Sequence, residues 1–203
     1  MPAIHFAKLE RCWVVQMPRV IYRHEVVERF AVGTVGQPGS RTFYLQANSK
    51  VGLNTVMLEK GQVIGLIERL AEMIIELRRT SKISKNALPN LKIDNDPLTS
   101  PFDEDFQVGL MSVSYEQDNF FLRIQEIMPG EQTLIPDESV SDEDGPDLLI
   151  VKLDVQQVQN FIERAKKVVA AGRPDCVFCS LPIDPEVTYV QEQMDIADEF
   201  FNC

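Results

Sequence analysis

Histidine and cysteine, the side chains that most often build catalytic and metal centres, are scarce: the 203 residues hold 2 and 4 of them. Gly-x-Ser-x-Gly, His-Glu-x-x-His and paired-carboxylate signatures are missing, so no ready-made hydrolase or metalloprotease centre is visible. His5 lies close to the N-terminus, and His24 precedes Glu25 with no nucleophile beside it in sequence. Net positive charge is also lacking. The formal charge is -11 at pH 7, and Lys50, Lys60, Arg69, Arg78, Arg79 and Lys82 are scattered among acids. Such a chain repels phosphate backbones, which speaks against nucleic acid as a partner. No apolar run reaches the roughly 18–20 residues that span a bilayer, which speaks against the membrane. The first residues hold no signal-peptide apolar stretch, so the expected location is the cytoplasm. In that reducing setting Cys12, Cys176, Cys179 and Cys203 are expected as free thiols or metal ligands, not disulfides.

What is present suits one core domain: 44% of residues are hydrophobic and 25% charged. The chain also repeats itself. Residues 58–69 read LEKGQVIGLIER and residues 153–164 read LDVQQVQNFIER. Each is preceded by Phe-x-Val-Gly, at Phe30–Gly33 and Phe106–Gly109.

In the first unit, Val32–Val35, Thr42–Ala47 and Asn54–Leu58 read as strands, the first two joined by a turn at Gln37-Pro38-Gly39. A helix follows from about Gln62 to Arg79. Val63, Leu66, Ile67, Leu70, Ile74 and Leu77 share one face at helical spacing, with Glu68, Glu72, Glu76 and Arg79 largely opposite. In the second unit, Val108–Tyr115 and Phe120–Ile127 form a hairpin around Glu116–Asn119, and Leu148–Leu153 is the third strand. Asp154 caps the second helix, Gln157 completes a capping box, and Leu153 and Val158 form a hydrophobic staple. That helix is expected to bury Val158, Phe161, Ile162, Ala165 and Val169 and to stop at Gly172, before Pro174.

The fold class is therefore α+β. Two βββα repeats, at 29–80 and 105–172, are expected to form a six-stranded, mostly antiparallel sheet with both helices on one face and a pseudo-twofold axis between the halves. Residues 80–105 read as a polar connection, and 136–147 as an acidic spacer loop. Glu68 and Glu163, each followed by Arg, read as solvated helix-face pairs.

Three features invite chemistry. Gly33-Thr34-Val35-Gly36-Gln37-Pro38-Gly39 is glycine-rich, but it lacks a Gly-Lys-Ser/Thr ending and leads into a strand, so a hairpin is favoured over a phosphate loop. Arg41 and Gln46 beside it, with Glu59, are candidates to face a small anionic ligand in a cleft between the halves. Cys176-Val177-Phe178-Cys179 is half of a zinc knuckle: two thiolates grip an ion, but a structural zinc takes four ligands, so the site is incomplete. A redox role is weaker, because the pair follows a helix end instead of opening a helix.

The segments MPRVIYRHEVVERFAVGTVGQPGSRTFYLQA, VMLEKGQVIGLIERL, DPLTSPFDEDFQVGLMSVSYE and VVAAGRPDCVFCSLPIDPE closely resemble the bacterial domain of unknown function 3090 family, found mainly in actinobacteria. The resemblance runs from about residue 17 to 186. It implies a conserved hypothetical protein without an established activity. Family members begin near the Met17-Pro18-Arg19 seen here, which implies that residues 1–16 are an extension or a misassigned start, with Trp13 expected to pack poorly. The family continues after Asp-Pro-Glu with Gly-His-x-Cys-Pro-Arg-x-Asn-Gly-Tyr-Arg. Here the chain reads VTYVQEQMDIADEFFNC. Restoring one G to the codons after Glu186 lets the degenerate codons of Val187–Ile196 spell Gly-His-Ile-Cys-Pro-Arg-Thr-Asn-Gly-Tyr. Residues 173–203 are thus expected to be a truncated or frameshifted zinc-knuckle tail, and zinc the cofactor of an in-frame version. The leading functional expectation is a non-enzymatic binding or adaptor protein with an unidentified protein partner. The rival is an enzyme or enzyme subunit acting on a small anionic ligand between the repeats.

Overall fold

The structure, a computed structural model, describes residues 19–37, 39–83, 94–100, 102–127 and 145–172. Its elements are β1 (Ile21–His24), β2 (Val27–Val35), β3 (Thr42–Ser49), β4 (Gly52–Leu58), α1 (Lys60–Arg79), β5 (Phe106–Glu116), β6 (Asn119–Glu126), β7 (Leu148–Leu153) and α2 (Val155–Ala170). The fold is α+β, with the strands in one seven-stranded sheet of order β1-β7-β6-β5-β4-β3-β2. Pairing is antiparallel except at β1 with β7 and at β4 with β5.

Turn chemistry sets the hairpins. Between β2 and β3, Gly36 and Gly39 take φ of +102° and +98°, and Ser40 N–H donates to Gln37 O at 2.9 Å. The glycine-rich stretch is a hairpin turn leading into β3. Between β5 and β6, Gln117 and Asp118 take φ of +47° and +62°, as a two-residue turn matched to strand twist requires.

The helices bury the faces their spacing predicts. On α1 these are Val63, Leu66, Ile67, Leu70, Ile74 and Leu77. On α2 they are Val158, Phe161, Ile162 and Ala165, joined by Arg164. Both faces enter one core with Val32, Leu45, Val56, Phe120, Leu122 and Val151. Phe161 packs on Phe30 with ring centroids 4.8 Å apart.

Four expectations change. The sheet has seven strands, not six, because Ile21–His24 pairs alongside β7 before the chain bends at Glu25-Val26 into β2. Val169 is only half-buried. Arg164, read as a solvated partner of Glu163, is 7% exposed. The two Phe-x-Val-Gly motifs occupy different places. Phe30 faces Ala47 in the antiparallel β2/β3 pair, whereas Phe106 faces Val56 at the parallel β5/β4 junction. The residue that meets β7 as Phe106 meets β4 is His24, opposite Val151. The extension 1–16 with Trp13, and the tail 173–203, lie outside the described residues. Among the described residues, no helix is long and apolar enough to cross a membrane.

Candidate functional site: a groove between α1 and β5

The sheet is incomplete where α1 leaves it. β5 runs for 11 residues, but β4 pairs with only Phe106 and Gln107 before the chain turns into α1. The Gln62 side chain continues the edge by one step. Its Nε2 donates to Val108 O at 2.9 Å and to Gly109 O at 3.2 Å, while its Oε1 accepts from Glu59 N–H. Beyond that point, among the described residues, β5 pairs only with β6.

The consequence is a groove of about 350 Å³, lined by Gly65, Leu66 and Arg69 of α1 and by Met111, Ser112 and Val113 of β5. Residues Gly109 to Tyr115 are all half-buried. Met111, Val113 and Tyr115 pack against the core while staying only partly buried. A second hollow continues past Arg69 along Glu72, Met73, Glu76 and Leu77. Gly65 opens the wall: a Cβ built on it meets nothing within 4 Å. Arg69 is the only cation among the six residues of the first hollow. Among the described residues its ion pair is to Glu72 at 3.8 Å and joins side chains 59% and 71% exposed, and such a pair contributes little.

The other helix shows what a filled version looks like. Gln157 occupies the same place on α2 as Gln62 on α1, and its Nε2 donates to Val27 O of β2 at 2.8 Å. Arg164 follows the N-cap Asp154 by the ten residues that separate Arg69 from Glu59. Its Nε donates to Val32 O of β2, and its two terminal nitrogens donate to Asp94 O and Asp96 O, at 2.7–2.8 Å. The chain's own segment 94–98 therefore lies over Arg164. The Asp94 carboxylate sits 3.1 Å from Arg164 and 2.7 Å from Arg29 Nε. Arg29 also holds the carbonyls of Asp96 and Pro97. Leu98 lies directly on Gly33, where a Cβ would come within 2.6 Å of Leu98 Cγ. Partial desolvation works against ionising Asp94, but the Arg29 hydrogen bond, the Asp96 N–H and the two guanidinium charges outweigh it, and its pKa is lowered. Burial lowers the pKa of Arg164, opposed by the Asp94 charge.

The ligand candidates make separate contacts. Arg41 Nη1 donates to Ala171 O at 2.7 Å, at the C-terminus of α2 where a cation is favoured. Gln46 is 2% exposed; it donates to Thr99 O and accepts from Thr99 N–H, both at 2.8 Å, and so anchors the 94–100 segment. Glu59 is the N-cap of α1. Cys176 and Cys179 lie outside the described residues.

One polar chain escaped sequence reasoning. The Asn54 amide nitrogen donates to Asp105 at 3.0 Å, which turns its Oδ1 to His24 Nε2 at 2.8 Å. His24 Nδ1 meets Ser49 Oγ at 2.7 Å, and that oxygen accepts from Val51 N–H. The ring therefore donates from Nε2 to the Asn54 oxygen. His24 and Ser49 are 1% and 7% exposed. The chain latches β1 to the β3–β4 hairpin, and a buried hydroxyl engaged on both sides is poorly placed to attack a substrate.

A family model described as protein of unknown function (DUF3090) matches residues 22–189, and the chain belongs to that family. No curated protein matches it.

Proposed function

We propose that this member of a family of unknown function is a non-enzymatic, cytoplasmic protein-recognition module, and that the groove between α1 and β5 is its binding site. The observation that supports the reading is the early end of the β4/β5 pairing at Gln107, beyond which Met111, Val113 and Tyr115 of the inner face are only half-buried. An uncharged, half-buried apolar floor with a polar rim is what partner surfaces have at their centre. The enzyme reading lacks comparable support, since Arg41, Gln46 and Glu59 each serve a helix end or a loop anchor. The Cys176 and Cys179 thiolates belong to the same reading as half of a zinc-held contact tail, short of the four ligands a structural zinc takes.

The test is a photo-crosslinking amino acid placed at Val113 in living cells, with Val51, 81% exposed on the β3–β4 turn, as the control position. A discrete adduct from Val113 and none from Val51 is expected. Equal adducts from both positions, or none from Val113, would remove the groove from consideration.

A further inference from the structure

We infer that the groove takes an extended peptide, which adds as a strand to the edge of β5 left unpaired among the described residues and sets a single carboxylate on Arg69. The inference rests on the binding reading above and names the partner's chemistry.

Three observations carry it. The first is the edge itself. A long strand edge is a template for pairing, and proteins guard such edges with lysine, proline or inward charge. From Leu110 to Tyr115 the sequence is LMSVSY, with no charge and no proline. Added main chain would bond to β5, while alternate side chains would fall on Met111 and Val113 or face away.

The second is Gly65. A glycine inside a helix costs about 0.5–1 kcal/mol relative to alanine. Here no close packing requires it, since the space above it is open. What its bare surface does provide is room for a second backbone between α1 and β5.

The third is the filled counterpart. On α2 and β2 the chain already places its own segment 94–98 over the arginine ten residues past the N-cap. There it uses the Asp94 carboxylate as the charge partner and Leu98 as the apolar contact. Arg69 stands in the corresponding place on α1 beside an edge that is unfilled among the described residues. One carboxylate, not a run of acids, fits the charge: the chain carries -11 overall, and Glu72 and Glu76 line the neighbouring hollow.

The experiment pans a displayed random heptapeptide library against the full chain and measures the enriched sequences as synthetic peptides by fluorescence anisotropy. Enriched peptides are expected to carry one Asp or Glu with aliphatic residues at alternate positions. Arg69→Glu should weaken them about tenfold, as should converting the peptide acid to its amide, and the two losses should not add. Gly65→Trp should abolish binding while circular dichroism and the melting transition show a folded chain. Enrichment of peptides without an acid, affinity indifferent to Arg69→Glu, or no enrichment at all would overturn the inference. So would a dimer in light scattering that Gly65→Trp converts to monomer, because a second copy would then own the edge. Crosslinking at Val113 with peptides indifferent to Arg69 would sink the carboxylate and leave the groove standing; loss of the crosslink sinks both.

Discussion

At the scale of single residues, α1 carries two glycines with different costs. Gly61 lies in the first turn, where intrahelical bonds are incomplete, and Gly65 lies well inside the helix. Neither meets an atom within 4 Å of a built Cβ. Gly65→Ala is therefore expected to raise stability by about 0.5–1 kcal/mol, with Gly61→Ala giving less, as read by urea denaturation. A loss of stability at Gly65 would show that the wall is already packed. Arg164 is the residue that sequence reading missed. The Glu-Arg pair on each helix looks alike in sequence, and on α1 Arg69 is indeed exposed. On α2 the guanidinium is buried by Asp94 and Asp96, about 70 residues away in the chain. No local pattern announces a cover that arrives from so far. Gln46 reads in sequence as a ligand candidate beside a turn, whereas in the fold both ends of its amide hold Thr99.

At the scale of elements, periodicity and turn chemistry were legible because both are local. The apolar spacing of α1 named all six of its buried residues, and the caps of α2 sat where Asp154 and Gln157 placed them. Strand β1 was not legible: four residues, IYRH, show no alternation, and their pairing to β7 is a long-range choice. The groove was illegible for the same reason, since it depends on where β4 stops pairing with β5 and not on any residue's own preference. The start of β5 is also closely fitted. A Cβ on Gly109 would lie 2.8 Å from Ile127 Cα and 3.1 Å from Glu126 O, both backbone and unable to yield cheaply. Gly109 sits within the irregular pairing between Val108 and Met111. Gly109→Ala is expected to cost about 1–3 kcal/mol and to loosen the β5–β6 hairpin, seen as faster amide exchange from Met111 to Ile124. Unchanged exchange there would mean that the bulge absorbs the added methyl.

At the scale of the whole molecule, acid stability couples two features. The formal charge of -11 repels itself at pH 7, and this repulsion fades as pH falls toward the isoelectric point near 4.7. Against it stands Asp94, whose carboxylate joins the 94–98 segment to Arg29 on β2 and Arg164 on α2. Its pKa is lowered in the folded chain. A depressed carboxylate contributes stability that is fully present above its unfolded value of about 3.9 and is lost as pH falls through the folded one. Wild type should therefore hold or gain stability from pH 7 to about 5 and lose it below about 4. Asp94→Asn keeps the side chain's size but removes its charge from two guanidiniums, one of them nearly buried. The variant is expected to be less stable than wild type at pH 7, with a gap that stays constant down to about pH 5 and closes progressively below about 4. Thermal melts of both proteins across that range provide the check. A gap that persists at the acid end would assign the loss to the hydrogen-bond geometry of the segment, not to the charge of Asp94.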